Sequence, residues 1–504
     1  MFYKRLSEEQ AFGAHTQVGL GSRSVRGGMT AIGSQGIQFV IAMIGTVVLA
    51  RLVSPEGYGL YGMVVPIIVF ARTFRDGGLS FATIQRPTIT RDQMSALFWV
   101  NFIFVFGLGA AIALSAPLVV RFYGQPQLAG ITVALAVAFA VNCISTQHDA
   151  LLRRNMRFDA IAMGQILAMV CSVAIAIILA FLGWGYWALV ASSCATAVVS
   201  TAYSFAVFPW LPGKLRRGIG LRGMLKFGGD VMGFNFANYF ARNADNVIVG
   251  KFAGADALGF YGKAYQLFLL PLTQIRDPVL SVAMPTMSAL AGDPERYSHY
   301  YAKLVDSIST LSVPIAMFCL VEADFLVRVM LGPNWTGVVP ILRVLTLVGL
   351  IQSAESTRGL VMVSRGETRR NFKWGVYNAV IMIAAFLVGA WLGGALGVAT
   401  GYAVASYIIL VPSLLYAFAG SPITLAGFIR ALAPSVGCSV LAAVPAFAFR
   451  AWLGFDSALV ALGSCVIFVV VYFAISMLRH GFRDNVRRMA RELRRKTETV
   501  GESR

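Results

Sequence analysis

Residues 227–250, FGGDVMGFNFANYFARNADNVIVG, put polar chemistry into an otherwise apolar stretch. Asn235, Asn238, Arg242, Asp245 and Asn246 recur at three- and four-residue steps, which places them on one helix face. A polar stripe turned to hydrocarbon is costly, so this face meets a cavity or a polar partner. Two readings of Arg242 follow. Arg242 and Asp245, three residues apart, satisfy each other as an ion pair; alternatively, the guanidinium lines a cavity for a polar or anionic substrate and grips a phosphate bidentately. Lys263 either lines the same cavity or snorkels to the membrane interface. In VGLIQSAESTRGL, residues 348–360, Gln352, Glu355 and Arg358 repeat the pattern. Asp245 and Glu355 are the candidate ion-coupling carboxylates, with a static Glu355–Arg358 pair as the alternative. Arg72, Arg75 and Asp76 end one apolar segment, and Arg276 and Asp277 fall near the corresponding place in a later one, 257–284. They read either as a gate or headgroup contact or as plain interfacial anchors.

What positions these residues is a duplication. Residues 48–62 (VLARLVSPEGYGLYG) and 248–262 (IVGKFAGADALGFYG) align at an offset of 200. Arg51 meets Lys251, Glu56 meets Asp256, Gly59 meets Gly259, Tyr61 meets Tyr261 and Gly62 meets Gly262. The same offset sets Gln35 against Asn235 and Gln38 against Asn238, so both glutamines join the binding candidates. It sets Ala42 against Arg242 and Gly45 against Asp245, so the charged pair belongs to the second copy alone. A membrane protein made of two tandem bundles has a natural cavity between its halves and a natural rocking motion.

Fourteen spans are expected, near 29–51, 57–78, 93–118, 126–147, 158–182, 184–209, 225–250, 257–284, 304–329, 336–362, 373–392, 394–418, 424–449 and 457–478. Six spans separate the two copies, so the repeat is parallel, about an axis along the membrane normal. The expected organisation is a cytoplasmic segment 1–28, a six-helix bundle 29–209, a basic linker 210–224, a second six-helix bundle 225–418, two extra helices in 419–479, and a basic amphipathic tail 480–504. The fold class is thus an all-α polytopic membrane protein of multidrug-and-toxin-extrusion type. With both termini cytoplasmic, the basic clusters around Arg153, Arg216 and Arg369 all fall inside.

Composition agrees. Hydrophobic residues make up 57% of the 504 and charged ones 13%, against about 25% charged in soluble proteins; mean hydropathy is +0.71. The net charge of +19 therefore reads as a topology signal and an attraction to anionic membrane lipids, not as a nucleic-acid footprint. Cys143, Cys171, Cys194, Cys319, Cys438 and Cys465 stand singly in apolar segments, with neither disulfide nor metal spacing. His15, His148, His299 and His480 are too scattered for a catalytic constellation, and no phosphate-binding glycine loop occurs. No cofactor, metal or enzymatic activity is expected.

Four stretches carry a family resemblance: GLSFATIQRPTITRDQMSALFWVN (78–101), DALLRRNMRFDAIA (149–162), ADNVIVGKFAGADALGFYGKAYQLFLLPLTQI (244–275) and GPNWTGVVPILRVLTLVGLIQS (332–353). With them the chain resembles lipid-linked oligosaccharide flippases of the polysaccharide transporter family, in the branch serving colanic-acid-like and succinoglycan-like exopolysaccharides. That family belongs to the multidrug/oligosaccharidyl-lipid/polysaccharide exporter superfamily. The resemblance implies an undecaprenyl-diphosphate-linked oligosaccharide as substrate. It also implies alternating access in the bacterial inner membrane, with a polysaccharide polymerase and a chain-length regulator as partners. An exporter of small amphipathic or cationic compounds is the alternative, and a membrane polymerase or acyltransferase a more distant one.

Overall fold

The structure, a computed structural model, describes residues 20–74, 89–214, 222–454 and 458–478, and within these not the side chains of 20–29, 31–32, 222–242 and 458. The described residues are helical throughout and contain no strand. The helices are α1 (Leu20–Leu52), α2 (Pro55–Thr73), α3 (Arg91–Leu114), α4 (Ala116–Tyr123), α5 (Leu128–Ile144), α6 (Thr146–Arg154), α7 (Phe158–Phe181) and α8 (Trp187–Val207). They continue with α9 (Arg222–Ala289), α10 (Pro294–Val321), α11 (Ala323–Met330), α12 (Val338–Glu355), α13 (Arg358–Ser364), α14 (Thr368–Phe418), α15 (Leu425–Leu453) and α16 (Ala458–Met477).

Eleven of these segments are long and apolar enough to cross a membrane. Two of them hold two spans each. α9 bends at Gly254, whose φ of 86° only glycine adopts readily, and α14 bends at Gly393–Gly394. α2, with Pro66 in its middle, is the remaining span. The chain is therefore a multi-pass membrane protein, with fourteen spans among the described residues. Several spans end earlier than hydropathy suggests and are followed by a short helix: α4 after α3, α6 after α5, α11 after α10, α13 after α12. Sequence-local signals set the starts. Ser54 caps α2 through Gly57 N–H, with Pro55 following; Thr90 and Gln93 form a reciprocal capping box on α3; Asp293 and Thr424 cap α10 and α15.

The described residues fall into two compact units. The first runs to Gly262 and takes in Met330–Trp335 and Ala390–Ala395; the second holds Lys263–Val329, Thr336–Gly389 and the chain from Leu396 onward. In the first, α7 packs between α1 and α8, and α5 packs against α2, α3 and α8. Leu49, Val53, Ala176, Ala180 and Leu189 share one buried cluster, and Met94, Phe98, Leu151 and Trp210 another. In the second, α10 packs on α12 and α15, and α15 on α16. Large apolar side chains such as Trp391, Leu459 and Val444 stay exposed, as a surface solvated by lipid requires. The four-residue glycine series of α14 closes a helical hairpin. A Cβ on Gly389 would lie 2.2 Å from Gly397 O, and one on Gly397 2.0 Å from Gly389 O, the close backbone approach that small residues permit.

Candidate functional site

The two repeat copies meet inside the first unit, and they meet reciprocally. A Cβ on Gly59 would lie 1.7 Å from Ala255 O, and a Cβ on Gly259 would lie 2.1 Å from Pro55 O. Position 55 aligns with 255 as 59 aligns with 259, so one helix crossing is made twice about the pseudo-two-fold. Glycine lets the two backbones touch here, where any side chain would hold them apart. Gly62 is different: its nearest neighbours are Leu258 side-chain atoms at 3.5 Å, and Gly262 has nothing within 4 Å.

Connections from distant parts of the chain close over this crossing. Gly332, at φ 98°, turns the chain so that Trp335 is fully buried; its indole N–H donates to Ala50 O at 2.6 Å. The ring lies edge-on to Tyr58 and Phe260, at 5.4 and 6.1 Å between centroids. Ala253 is met by the Gly394 turn, Gly250 by Tyr123, and Gly57 by Tyr186. Lys251 donates to Phe122 O and rests over the Phe122 ring. Trp335 carries no periodic signal in the sequence. Only its place inside one of the family-like stretches pointed at it.

The polar candidates are held as follows. Asp245 is buried, 4% exposed. Its Oδ2 accepts from the Tyr261 hydroxyl at 2.9 Å and its Oδ1 from Asn246 N–H at 2.8 Å, with the Asn246 amide at 3.4 Å. Tyr61, the repeat partner of Tyr261, instead shares a 2.8 Å hydrogen bond with Ser193. Gln38 donates to Gln165 at 3.3 Å, tying α1 to α7, and Gln35 is exposed. Asn235, Asn238 and Arg242 lie on α9, with side chains outside the described residues; Arg75 and Asp76 also lie outside them, and Arg72 is exposed at the end of α2. In the second unit, Lys263 is buried and donates to Gln266 at 3.2 Å. Arg276 and Asp277 pair at 2.8 Å. Glu355 pairs with Arg358 at 2.5 Å, and Arg358 in turn lies over Trp374; Gln352 donates to Tyr402 at 2.8 Å. The structure thus joins Asp245, Asn246 and Tyr261 into one cluster and Glu355 with Arg358 into another. Among the described residues no three His, Cys, Asp or Glu side chains gather as a metal site would require.

Comparison with known proteins bears on the family and the fold. The lipopolysaccharide biosynthesis protein WzxC of Escherichia coli K12 is 24% identical over 392 residues, covering 74% of this chain and 78% of its own. The succinoglycan biosynthesis transport protein ExoT of Rhizobium meliloti is 24% identical, covering 72% of each. Among solved structures, the lipid II flippase MurJ in its inward closed conformation superposes with a TM-score of 0.71 at 16% identity, covering 91% of this chain and 99% of its own. An inward-facing multidrug resistance transporter of the MATE family superposes at 0.58 with 16% identity, covering 79% and 95%. Residues 48–340 match the family described as Polysaccharide biosynthesis protein, and with more than half of its length in that match the chain belongs to this family.

Proposed function

We propose that this protein is a flippase. It carries an undecaprenyl-diphosphate-linked oligosaccharide repeat unit from the cytoplasmic to the periplasmic leaflet of the bacterial inner membrane for exopolysaccharide synthesis. The reading is carried by similarity, over 74% and 72% of the chain, to proteins named for lipopolysaccharide biosynthesis and succinoglycan transport. The chemistry supports it: a diphosphate and several sugars are strongly disfavoured in hydrocarbon, so their path must be lined by groups that replace water. Asn235, Asn238, Asn246, Gln35, Gln38 and Lys263 supply such groups, and Arg242 supplies a phosphate clamp. To Arg72, Arg75, Asp76, Arg276 and Asp277 this reading assigns a cytoplasmic gate or headgroup contact. With the basic loops inside, the glycine crossing lies at the periplasmic end. Its closure is then what an inward-facing intermediate of alternating access requires. Asp245, held by neutral donors among the described residues, suits an exchangeable cation better than Glu355, which already has a guanidinium. A polymerase and a chain-length regulator are the partners this role calls for.

Purified protein in vesicles should move a fluorescent polyprenyl-diphosphate saccharide between leaflets, read by a membrane-impermeant quencher. Arg242→Ala should bring that rate to the protein-free background while leaving the protein in the membrane. Normal movement in the variant removes Arg242 from the path. The likeness to a MATE transporter favours one second reading, export of small amphipathic compounds; drug sensitivity of a deletion strain with intact exopolysaccharide would select it.

A further inference from the structure

We propose that Tyr261 is a positioning residue that links the cation held by Asp245 to the closure of the glycine crossing, and that it does so in the second repeat copy alone. The inference rests on the reading of Asp245 as the exchangeable-cation site.

Asp245 and Tyr261 stand on the two arms of α9, on either side of the bend at Gly254. Tyr261 is fully buried, and its hydroxyl donates to Asp245 Oδ2 at 2.9 Å. The bond ties the arms together about 10 Å from the bend. The arm that carries Tyr261 also makes the crossing. Gly259, two residues earlier, is the glycine whose Cβ would lie 2.1 Å from Pro55 O, and Leu258 packs over Gly62 and Gly250. A helix moves as one rigid piece over so short a length, so the seat of Gly259 against Pro55 depends on where Tyr261 is held.

Asp245 has no ion pair among the described residues; its other donors are the main-chain and side-chain amides of Asn246, on its own arm. Of the charged side chains around the hairpin, Lys251 donates to Phe122 O and Lys263 to Gln266, while Asp256, Glu56 of α2 and Arg121 of α4 are exposed. Arg242 precedes Asp245 by one turn, with its side chain outside the described residues. A hydroxyl binds a bare carboxylate about twice as strongly as a neutral acceptor, and burial sharpens the difference. A proton or a sodium ion on Asp245 cancels that charge and loosens the hold on Tyr261. The crossing then opens more readily, and by linkage its opening favours uptake of the cation. The first copy lacks the device. Gly45 stands in the place of Asp245, against Val173, and the Tyr61 hydroxyl meets a neutral partner, Ser193, at 2.8 Å. A crossing made twice is thus cation-responsive on one side only.

The test uses the full chain in nanodiscs with Leu258→Cys, at a position 2% exposed, and reads the rate at which a water-soluble maleimide labels it. Protein with only its native cysteines gives the background. Each rate is divided by that of the same protein unfolded in detergent at the same pH, which removes the pH dependence of the thiol itself. Labelling is followed from about pH 8 to about pH 5, and at about pH 8 with and without sodium chloride. The parent should label about tenfold faster once the cation is bound; a response to acid alone identifies a proton, a response to sodium at high pH a sodium ion. Tyr261→Phe and Asp245→Asn should each label at the fast rate under every condition. A Tyr261→Phe protein that labels as slowly as the parent overturns the proposal. So does one that labels fast yet still responds to the cation, since a merely structural staple would behave that way. If the parent ignores both cations, the cation reading of Asp245 falls and this inference with it. The readout needs no transported lipid, so failure of the flippase reading leaves it standing.

Discussion

Alanine at position 59 will abolish export, and alanine at position 259 will do so equally, whereas alanine at position 62 will leave export intact. The three glycines look alike in the aligned repeat; their surroundings do not. A methyl on Gly59 falls 1.7 Å from a carbonyl oxygen, when real contacts of this kind essentially never come under 3.0 Å. The obstacle is backbone, so no rotamer relieves it, and the helices must part by more than about 1 Å at an overpacking cost of about 1–3 kcal/mol. Gly259 meets the same obstacle from the other helix, at 2.1 Å. Gly62 faces only the flexible end of Leu258 at an ordinary 3.5 Å. The destabilisation falls on the conformation in which the repeat copies touch, so these variants bias the protein toward the conformation in which they do not. A transporter that cannot close one end cannot complete its cycle. The physical check is independent of export: a cysteine at Leu258, 2% exposed in the closed crossing, should become reactive to a maleimide in Gly59→Ala and Gly259→Ala but stay protected in Gly62→Ala. Protection in all three would show that the crossing tolerates a methyl and is no gate.

The repeat that builds the glycine crossing was legible in the sequence as the matched Gly59 and Gly259, but the reading from it was a cavity between the halves, and the backbone contact at these two glycines was not foreseen. The fourteen spans were legible because hydrocarbon demands long apolar runs with internally satisfied backbones. Hydropathy was less exact about where spans end. The stretches expected as spans 93–118 and 304–329 include the breaks before α4 and α11, since a short amphipathic helix at the interface is nearly as apolar as the span it follows. The bend at Gly254 lies in the predicted gap between spans seven and eight, where one residue of positive φ separates two helices without a longer loop. The site was legible only in part. Asp245 accepts from its chain neighbour Asn246 and from Tyr261, sixteen residues on, a partner that the polar stripe did not include. The spacing of Glu355 and Arg358 announced their pair. Trp335 and its acceptor, Ala50, stand 285 residues apart, and no local period encodes such a contact.

Glu322 and Arg450 were not legible at all, and they carry the largest expected stability effect. They are 128 residues apart, each side chain is 1% exposed, and they meet at 2.7 Å. Ser464 donates to the other carboxylate oxygen at 2.5 Å, and Arg450 also reaches Val321 O at 3.4 Å. The end of α10, α15 and α16 therefore share one buried charge cluster, which fixes the two C-terminal helices to α10 within the second unit. Removing one member leaves the other charge buried and uncompensated. Arg450→Ala should cost about 3–5 kcal/mol, read as a lower melting temperature in detergent and less protein in the membrane fraction. The pair itself contributes less than that figure suggests, because desolvating both charges offsets most of their attraction. The double variant Glu322→Leu/Arg450→Met, which removes both charges and keeps the volume apolar, should recover most of the loss. That recovery separates the two explanations of the damage. If the double variant melts as low as Arg450→Ala, the cluster stabilises through its own geometry; if it melts near wild type, the harm in the single variant comes from the stranded carboxylate. The hydroxyl of Ser464 gives a third measure. Ser464→Ala removes one hydrogen bond to a charged group while leaving the ion pair, so its effect should be smaller, about 1.5–3 kcal/mol.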